Sequence, residues 1–184
     1  AETAHIVDEL ARGEDYDFRV CHIPKTIDND LRETDHCPGY GSAARFVALA
    51  LMGDNLDNTA LKGVKIDVIM GRHAGFLTGA SALARQAETD GPHLIYLPEV
   101  AFEEERFIDD VAACLDDIGR CVIAVSEGIS RPDGSPVFTS GEKDSHGNIQ
   151  LSGTGALGDY LSNLVKDKVS AASRVRADTL GYMQ

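Results

Sequence analysis

The segment VKIDVIMGRHAG, residues 64–75, indicates the fold class. The run 64–70 is mostly apolar and β-branched, which is typical of a strand buried on both faces. A glycine-bounded turn follows it, and the amphipathic pattern near 75–89 predicts a helix. A strand, a turn and a helix in this order form the unit from which parallel sheets are built.

The same alternation recurs along the rest of the chain. Further strands are predicted at FRVCHI (18–23), HLIYLP (93–98), RCVIAVS (120–126) and SRVRADT (173–179), and further helices at 3–11, near 40–58, at 104–118 and at 157–171. We therefore predict an α/β fold in one domain over 1–184, with a mostly parallel, Rossmann-like sheet and helices on both faces. The Gly-, Ser- and Asp-rich segment 130–156 is expected to be a surface excursion. Because the chain begins with a helix and stops just after a strand, we expect an incomplete fold, part of a longer protein.

Composition restricts the classes of partner. The net charge is −13 and the sequence pI is about 4.7, which argues against a nucleic-acid or acidic-membrane surface. No apolar run reaches the roughly 20 residues of a membrane helix. The four cysteines, Cys21, Cys37, Cys114 and Cys121, lack zinc-site spacing and are expected to be reduced thiols in a cytoplasmic protein.

Polar residues follow the predicted strands. They are Pro24–Asp30, Gly71–His73, Glu99 and Glu127–Gly128, with Arg174 and Arg176 opening the last strand and Gly181–Tyr182 closing it. Parallel sheets bind ligands beyond the carboxyl ends of their strands, so we expect these residues to gather at one edge.

The first of these turns suits phosphoryl transfer. Lys25 and the Thr26 hydroxyl can contact phosphate oxygens, as a point charge and a hydrogen-bond donor. Asp28 and Asp30 point to the same side of an extended segment. One of these carboxylates could bind Mg²⁺ or its waters, and the other could accept a proton from a hydroxyl. The alternative is an ordinary turn, in which short polar side chains bond their own backbone.

The second turn, Met70-Gly71-Arg72, is a candidate phosphate contact. Glycine lets the backbone approach a ligand, and the arginine fork binds phosphate. The alternative is a tight strand-to-helix turn with a surface arginine, and His73 is expected to be structural. Glu99 and Glu127 each follow an apolar strand, where a carboxylate either binds sugar hydroxyls or caps the next helix.

A third pattern suggests a different function. Gly153-Thr154-Gly155-Ala156-Leu157-Gly158 matches GxGxxG ahead of a helix, with Asp178 further on, which is typical of dinucleotide binding. The pattern follows a polar loop and comes late in the chain, so it stays a weaker alternative.

Three motifs in this order resemble the phosphofructokinase family. They are Pro24–Asp30, Met70-Gly71-Arg72 and Leu97-Pro98-Glu99-Val100, and the resemblance extends over nearly the whole chain. It implies phosphoryl transfer to the 1-hydroxyl of fructose 6-phosphate with Mg²⁺, in glycolysis, by a homo-oligomer. An enzyme of the family remains to be distinguished from a binding module that never turns over.

The resemblance also implies roles for individual residues. Asp28 is the base, Asp30 its partner in the magnesium-bearing site, and Thr26 a contact to the substrate or the moving phosphoryl group. The sugar and its phosphate are contacted by Met70, Gly71, Arg72, Glu127 and Arg176.

Lys25 implies the donor. ATP-using members of the family carry glycine at this position, whereas diphosphate-using members carry lysine, so the chain resembles the diphosphate branch. ATP stays the alternative, because the family's upstream Gly-Gly-Asp loop is absent. Tyr182 replaces a family histidine at the sugar phosphate. The family's cross-subunit arginine would fall at Gly63, beside Lys62 and Lys65.

Overall fold

A computed structural model describes residues 2–138 and 155–181. The helices are α1 (Glu2–Gly13), α2 (Tyr40–Leu61), α3 (Phe76–Ala80), α4 (Glu104–Ile118) and α5 (Ala156–Lys168), with a 3₁₀ turn at Ser81–Ala84. The strands are β1 (Gly63–Ile69), β2 (Leu94–Tyr96), β3 (Arg120–Ser126) and β4 (Val175–Thr179). No described helix is long and apolar enough to cross a membrane.

The four strands form one parallel sheet in the order β2-β3-β1-β4. Every residue of β1 and β3 is buried, as expected for central strands covered on both faces. Their register pairs Gly63 with Arg120 and Ile69 with Ser126, so both strands end at the same level. The predicted α/β class and parallel sheet are confirmed.

Two hydrophobic clusters cover the two faces of the sheet. Val64, Ile66 and Val68 of β1 pack with Phe107 and Leu161, which belong to α4 and α5. On the other face, residues of α2, α3 and the 3₁₀ turn pack on β1 and β3; they include Val47, Leu51, Ile69, Leu77, Ala84 and Val122. Helices therefore lie on both faces, as predicted.

The predicted strand 18–23 is wrong. The segment has no regular secondary structure and forms no ladder with any described strand, and Phe18 and Ile23 are 45% and 74% exposed. A strand needs a paired edge or a buried face, and this segment has neither.

The predicted helix 75–89 is also shorter than expected, because it ends at Ala84. Beyond that point the Asp90 carboxylate accepts the N–H groups of Gln86 and Ala87. These bonds close a loop in place of further helix. In the excursion 130–156, Ser130 and Pro136 form an antiparallel bridge, and 139–154 lie outside the described residues.

Strand β1 buries a lysine and an aspartate on the α2 face. Asp67 is fully buried, and Lys65 Nζ lies 3.7 Å from its Oδ1 and 3.6 Å from Asp54 Oδ1. The same ammonium forms an ion pair with Asp178 of β4. Burial, and then the negative charge of Asp54, raise the pKa of Asp67 well above its ordinary value.

Replacing Asp67 with Asn should remove a pH-dependent loss of stability. Because the folded pKa of Asp67 lies above its ordinary 3.8, the folded chain keeps a proton that the unfolded chain has released. The free energy of unfolding therefore falls as pH rises through this interval, by at most about 1.4 kcal/mol per pH unit. In urea denaturation between about pH 4 and pH 7, the free energy of unfolding of the variant should increase relative to that of wild type as pH rises. The control is Asp116→Asn, at an exposed position of α4. Parallel pH curves for wild type and Asp67→Asn would contradict the prediction.

Candidate active site

The turn 24–30 is held by Thr26 and Asn29 rather than by its two aspartates. The Asp28 N–H donates to Thr26 Oγ1 at 3.2 Å. Asn29 is buried with a φ of 58°, its Oδ1 accepts the Cys37 N–H at 2.8 Å, and its Nδ2 donates to the Asp35 carbonyl at 3.2 Å. Thr26 and Asn29 therefore make the side-chain hydrogen bonds typical of an ordinary turn. The carboxylates of Asp28 and Asp30 are left available to contact a ligand.

Asp28 is the most perturbed carboxyl group of this turn. Burial raises its pKa, as do the nearby charges of Asp30 and Glu127, while Arg72 and His73 act in the opposite direction. Its Oδ1 is buried, and no donor from the described residues reaches it. The structure thus brings the first turn, the second turn and the end of β3 into one electrostatic cluster.

Glu127 lies at the end of β3, beside the turn that follows β1. Its N–H donates to the Ile69 carbonyl at 2.9 Å, and its Oε1 accepts a long hydrogen bond from the Gly71 N–H at 3.5 Å. Its Oε2 is buried, and within the described residues it has no hydrogen-bond partner. A buried carboxylate oxygen without a donor is a natural acceptor for a ligand hydroxyl.

The two strand ends are joined by Ser126. Its hydroxyl donates to the Gly71 carbonyl at 2.5 Å and accepts the Gly128 N–H at 3.2 Å. Sequence analysis missed this residue, although a polar side chain that closes a buried strand is a usable signal.

Two glycines permit the close approach of these turns. Gly71 has a φ of 136°, in a region that favours glycine, and a β-carbon on it would meet the Ala74 carbonyl oxygen at 2.5 Å. A β-carbon on Gly128 would lie 1.9 Å from the Arg72 carbonyl oxygen. Any side chain at 128 would therefore displace the backbone that carries Arg72.

Glu99 caps a helix, but not the one that follows it. Its Oε1 accepts the Gly75 N–H at 2.7 Å, at the beginning of α3. This bond ties the end of β2 to the turn after β1. The predicted cap on the next helix is not found, since α4 has no side-chain cap hydrogen bond, and binding of sugar hydroxyls by Glu99 stays a prediction.

The remaining predicted residues lie at different distances from the cluster. Met70 is partly buried beside Gly71, and Lys25 is exposed, with its Cε 3.7 Å from the β-carbon position of Gly39. Arg176 lies near the beginning of its strand, as the sequence pattern predicts, and not near the strand's end, where the family resemblance would place an arginine that contacts the sugar phosphate. It is the second residue of β4, in register with Lys65 and about 10 Å before the carboxyl end. Tyr182 lies outside the described residues.

These features define an α/β domain with a cluster of acidic side chains, a candidate ligand-binding site, at the carboxyl edge of a parallel sheet. The model of the phosphofructokinase family matches residues 1–184, and the chain belongs to that family. This membership argues against the dinucleotide-binding alternative, of which Gly153 and Thr154 lie outside the described residues.

Relatives and solved structures agree with the family. The chain is 58% identical over 188 residues to a pyrophosphate–fructose 6-phosphate 1-phosphotransferase of Rhodospirillum rubrum, covering 100% of this chain and 46% of that protein. A Xanthomonas campestris protein of the same name is 40% identical, covering 92% of this chain and 41% of that protein. The crystal structure of a pyrophosphate-dependent phosphofructokinase from Marinobacter aquaeolei superposes with a TM-score of 0.78 at 32% identity, over 98% of this chain and 41% of that one. The chain thus spans less than half the length of these relatives.

Replacing Gly128 with Ala should disrupt the Arg72 turn. The clash with the Arg72 carbonyl involves backbone, which cannot rotate away, so we expect a loss of roughly 1–3 kcal/mol in the free energy of unfolding. Chemical denaturation of the full-length protein measures this loss. The matched control is Gly53→Ala in α2, where a β-carbon meets nothing within 4 Å and helix propensity should add roughly 0.5–1 kcal/mol. A Gly128→Ala protein as stable as wild type would refute the close approach.

Proposed function

We propose that the full-length protein transfers a phosphoryl group from diphosphate to the 1-hydroxyl of fructose 6-phosphate, giving fructose 1,6-bisphosphate. The similarity to pyrophosphate–fructose 6-phosphate 1-phosphotransferases supports both substrates. The observation that carries the proposal is the buried, unpartnered Oδ1 of Asp28, inside a cluster that also holds Arg72 and Glu127.

Asp28 is the general base of this proposal. A base works best when its pKa approaches the working pH, and burial next to Asp30 and Glu127 moves the pKa of Asp28 in that direction. The positive charge of Arg72 limits the rise in the pKa of Asp28. Asp28 then accepts the proton of the 1-hydroxyl as the hydroxyl oxygen attacks the donor phosphorus. The bond from that phosphorus to the bridging oxygen of diphosphate breaks, and orthophosphate leaves.

Glu127 and Arg72 hold the acceptor sugar. The free Oε2 of Glu127 accepts a sugar hydroxyl, and the Arg72 guanidinium contacts a phosphate. Met70 and Gly71 shape the turn that presents the arginine. We assign Arg176 no contact in this cluster, because it lies at the beginning of β4, and Tyr182 stays a candidate contact to the sugar phosphate.

Lys25 and Thr26 face the donor. The Thr26 oxygen accepts the Asp28 N–H, which leaves its hydroxyl hydrogen to donate to a phosphoryl oxygen. Lys25 is exposed and forms no ion pair with the described residues, so its ammonium can reach a small, highly charged donor.

The residues present fit Mg²⁺. Asp30 is exposed beside Asp28, and carboxylate oxygens on neighbouring residues are the hard ligands that this ion takes, often through water. When bound, Mg²⁺ neutralises charge on the diphosphate. The proposal also includes a homo-oligomer acting in cytoplasmic glycolysis.

The donor test decides between diphosphate and ATP. We predict that the full-length protein, given fructose 6-phosphate and Mg²⁺, forms fructose 1,6-bisphosphate with diphosphate and not with ATP. Lys25→Gly should weaken use of diphosphate without unfolding the protein. The control is Lys62→Gly, an exposed lysine with a φ of 52°, where glycine is tolerated. Turnover with ATP and not with diphosphate would refute diphosphate as the donor. Absence of turnover with either donor would favour a binding module.

Asp28→Asn tests the base. The amide keeps the size of the side chain but cannot accept the proton, so we expect kcat to fall roughly 10²- to 10⁴-fold while fructose 6-phosphate still binds, as measured by calorimetry. Because the carboxylate must be ionised, wild-type turnover should rise with pH through the raised pKa of Asp28. Loss of sugar-phosphate binding equal to the loss of turnover would reject this role, as would an unchanged kcat.

A further inference from the structure

A histidine and two cysteines meet on the α4 side of the sheet. His93 precedes β2, Cys114 lies in α4, and Cys121 is the second residue of β3. One ligand atom from each, the two Sγ atoms and a ring nitrogen, all lie within 4.8 Å of one another. Both cysteines are buried and free of disulfides. The sequence analysis missed this cluster, since its spacing matches no zinc motif.

We propose that His93, Cys114 and Cys121 form a binding site for a thiophilic metal ion of the Zn²⁺ class. Two thiolates and an imidazole are the ligands that zinc and similar soft ions select, whereas Mg²⁺ prefers oxygen. With zinc–sulfur bonds of about 2.3 Å, tetrahedral ligand atoms lie about 3.8 Å apart. The three ligand atoms are therefore at most about 1 Å too far apart for tetrahedral coordination. Side-chain rotation can close that gap.

Coordination exchanges existing hydrogen bonds for metal bonds. The Val122 N–H donates to His93 Nδ1 at 2.8 Å, and His93 Nε2 lies 3.3 Å from the Thr89 carbonyl. The Cys114 thiol donates weakly to the Arg120 carbonyl at 3.4 Å. Each thiol releases its proton on binding, and one ring nitrogen gives up its partner. The hydrogen bonds already fix the orientation of the ring, which reduces the ordering needed to bind the ion.

The proposed metal site is separate from the candidate active site. Cys121 lies five residues before Ser126, the last residue of β3, which is about 17 Å of extended strand before the turn that carries Glu127. A metal at Cys121 joins α4, β3 and the segment before β2. We therefore expect it to act on stability rather than on the transfer step, because an ion bound to the folded state stabilises it.

Cobalt titration of tag-free, full-length protein tests the site. After treatment with a chelator and a phosphine reductant, Co²⁺ should bind with a thiolate-to-cobalt charge-transfer band in the near ultraviolet. The band should be lost in the Cys114→Ser/Cys121→Ser double variant and kept in the control Cys21→Ser, whose thiol is exposed. Zn²⁺ should raise the thermal midpoint of wild type and of the control, but not of the double variant.

X-ray absorption of zinc-loaded wild type needs no variant, so it decides the question even if the double variant does not fold. We expect two sulfur neighbours at about 2.3 Å and at least one nitrogen. Three outcomes would overturn the proposal: no charge-transfer band in wild type, a band that survives in the double variant, or zinc with only nitrogen and oxygen neighbours. These readouts are independent of turnover, so they stand whether or not the proposed reaction is found.

Discussion

The parallel pairing of β1 with β3 is the constraint on which the site depends. It brings Ile69 level with Ser126, so the turn carrying Arg72 and the carboxylate of Glu127 leave the sheet side by side. Ser126 then joins the two ends through the Gly71 carbonyl, and Gly128 allows the Arg72 backbone to approach. Burial of both strands on both faces makes this register costly to change, since a slip would move apolar and polar residues to the wrong faces.

Electrostatics in this acidic chain is local rather than global. A net charge of −13 disfavours an anionic ligand at long range. Near Asp28, however, the positive charges of Arg72 and His73 partly offset the negative charges of Asp30 and Glu127, where the proposed function places a phosphate. The buried Asp67 presents the contrasting case, because Lys65 lies within 3.7 Å of it and its pKa still rises well above the ordinary range. Burial outweighs one shared cation there.

Sequence alone predicts the features of this fold that depend on local pattern. The apolar runs of β1 and β3 predict buried strands, and the helices α4 and α5 follow from hydrophobic periodicity. The segment 18–23 has the composition of a strand but finds no ladder among the described residues, and pairing is not written in local composition. The boundary of the last strand shows a smaller limit of local pattern, because β4 begins at Val175, two residues later than predicted.

The two proposed metal sites differ in how far the sequence alone predicts them. Asp28 and Asp30 are two residues apart, so the proposed Mg²⁺ site can be predicted from their spacing in the sequence. His93, Cys114 and Cys121 come from three elements, and only the crossing of α4 over β3 brings them together. The separation also has a chemical consequence. The proposed oxygen ligands lie at the carboxyl edge of the sheet, whereas the proposed sulfur ligands lie near the beginning of β3. A hard and a soft cation would therefore not compete for one set of ligands. The two proposed ions are thus kept at separate sites by the chemical type of their ligands and by the position of those ligands in the sheet.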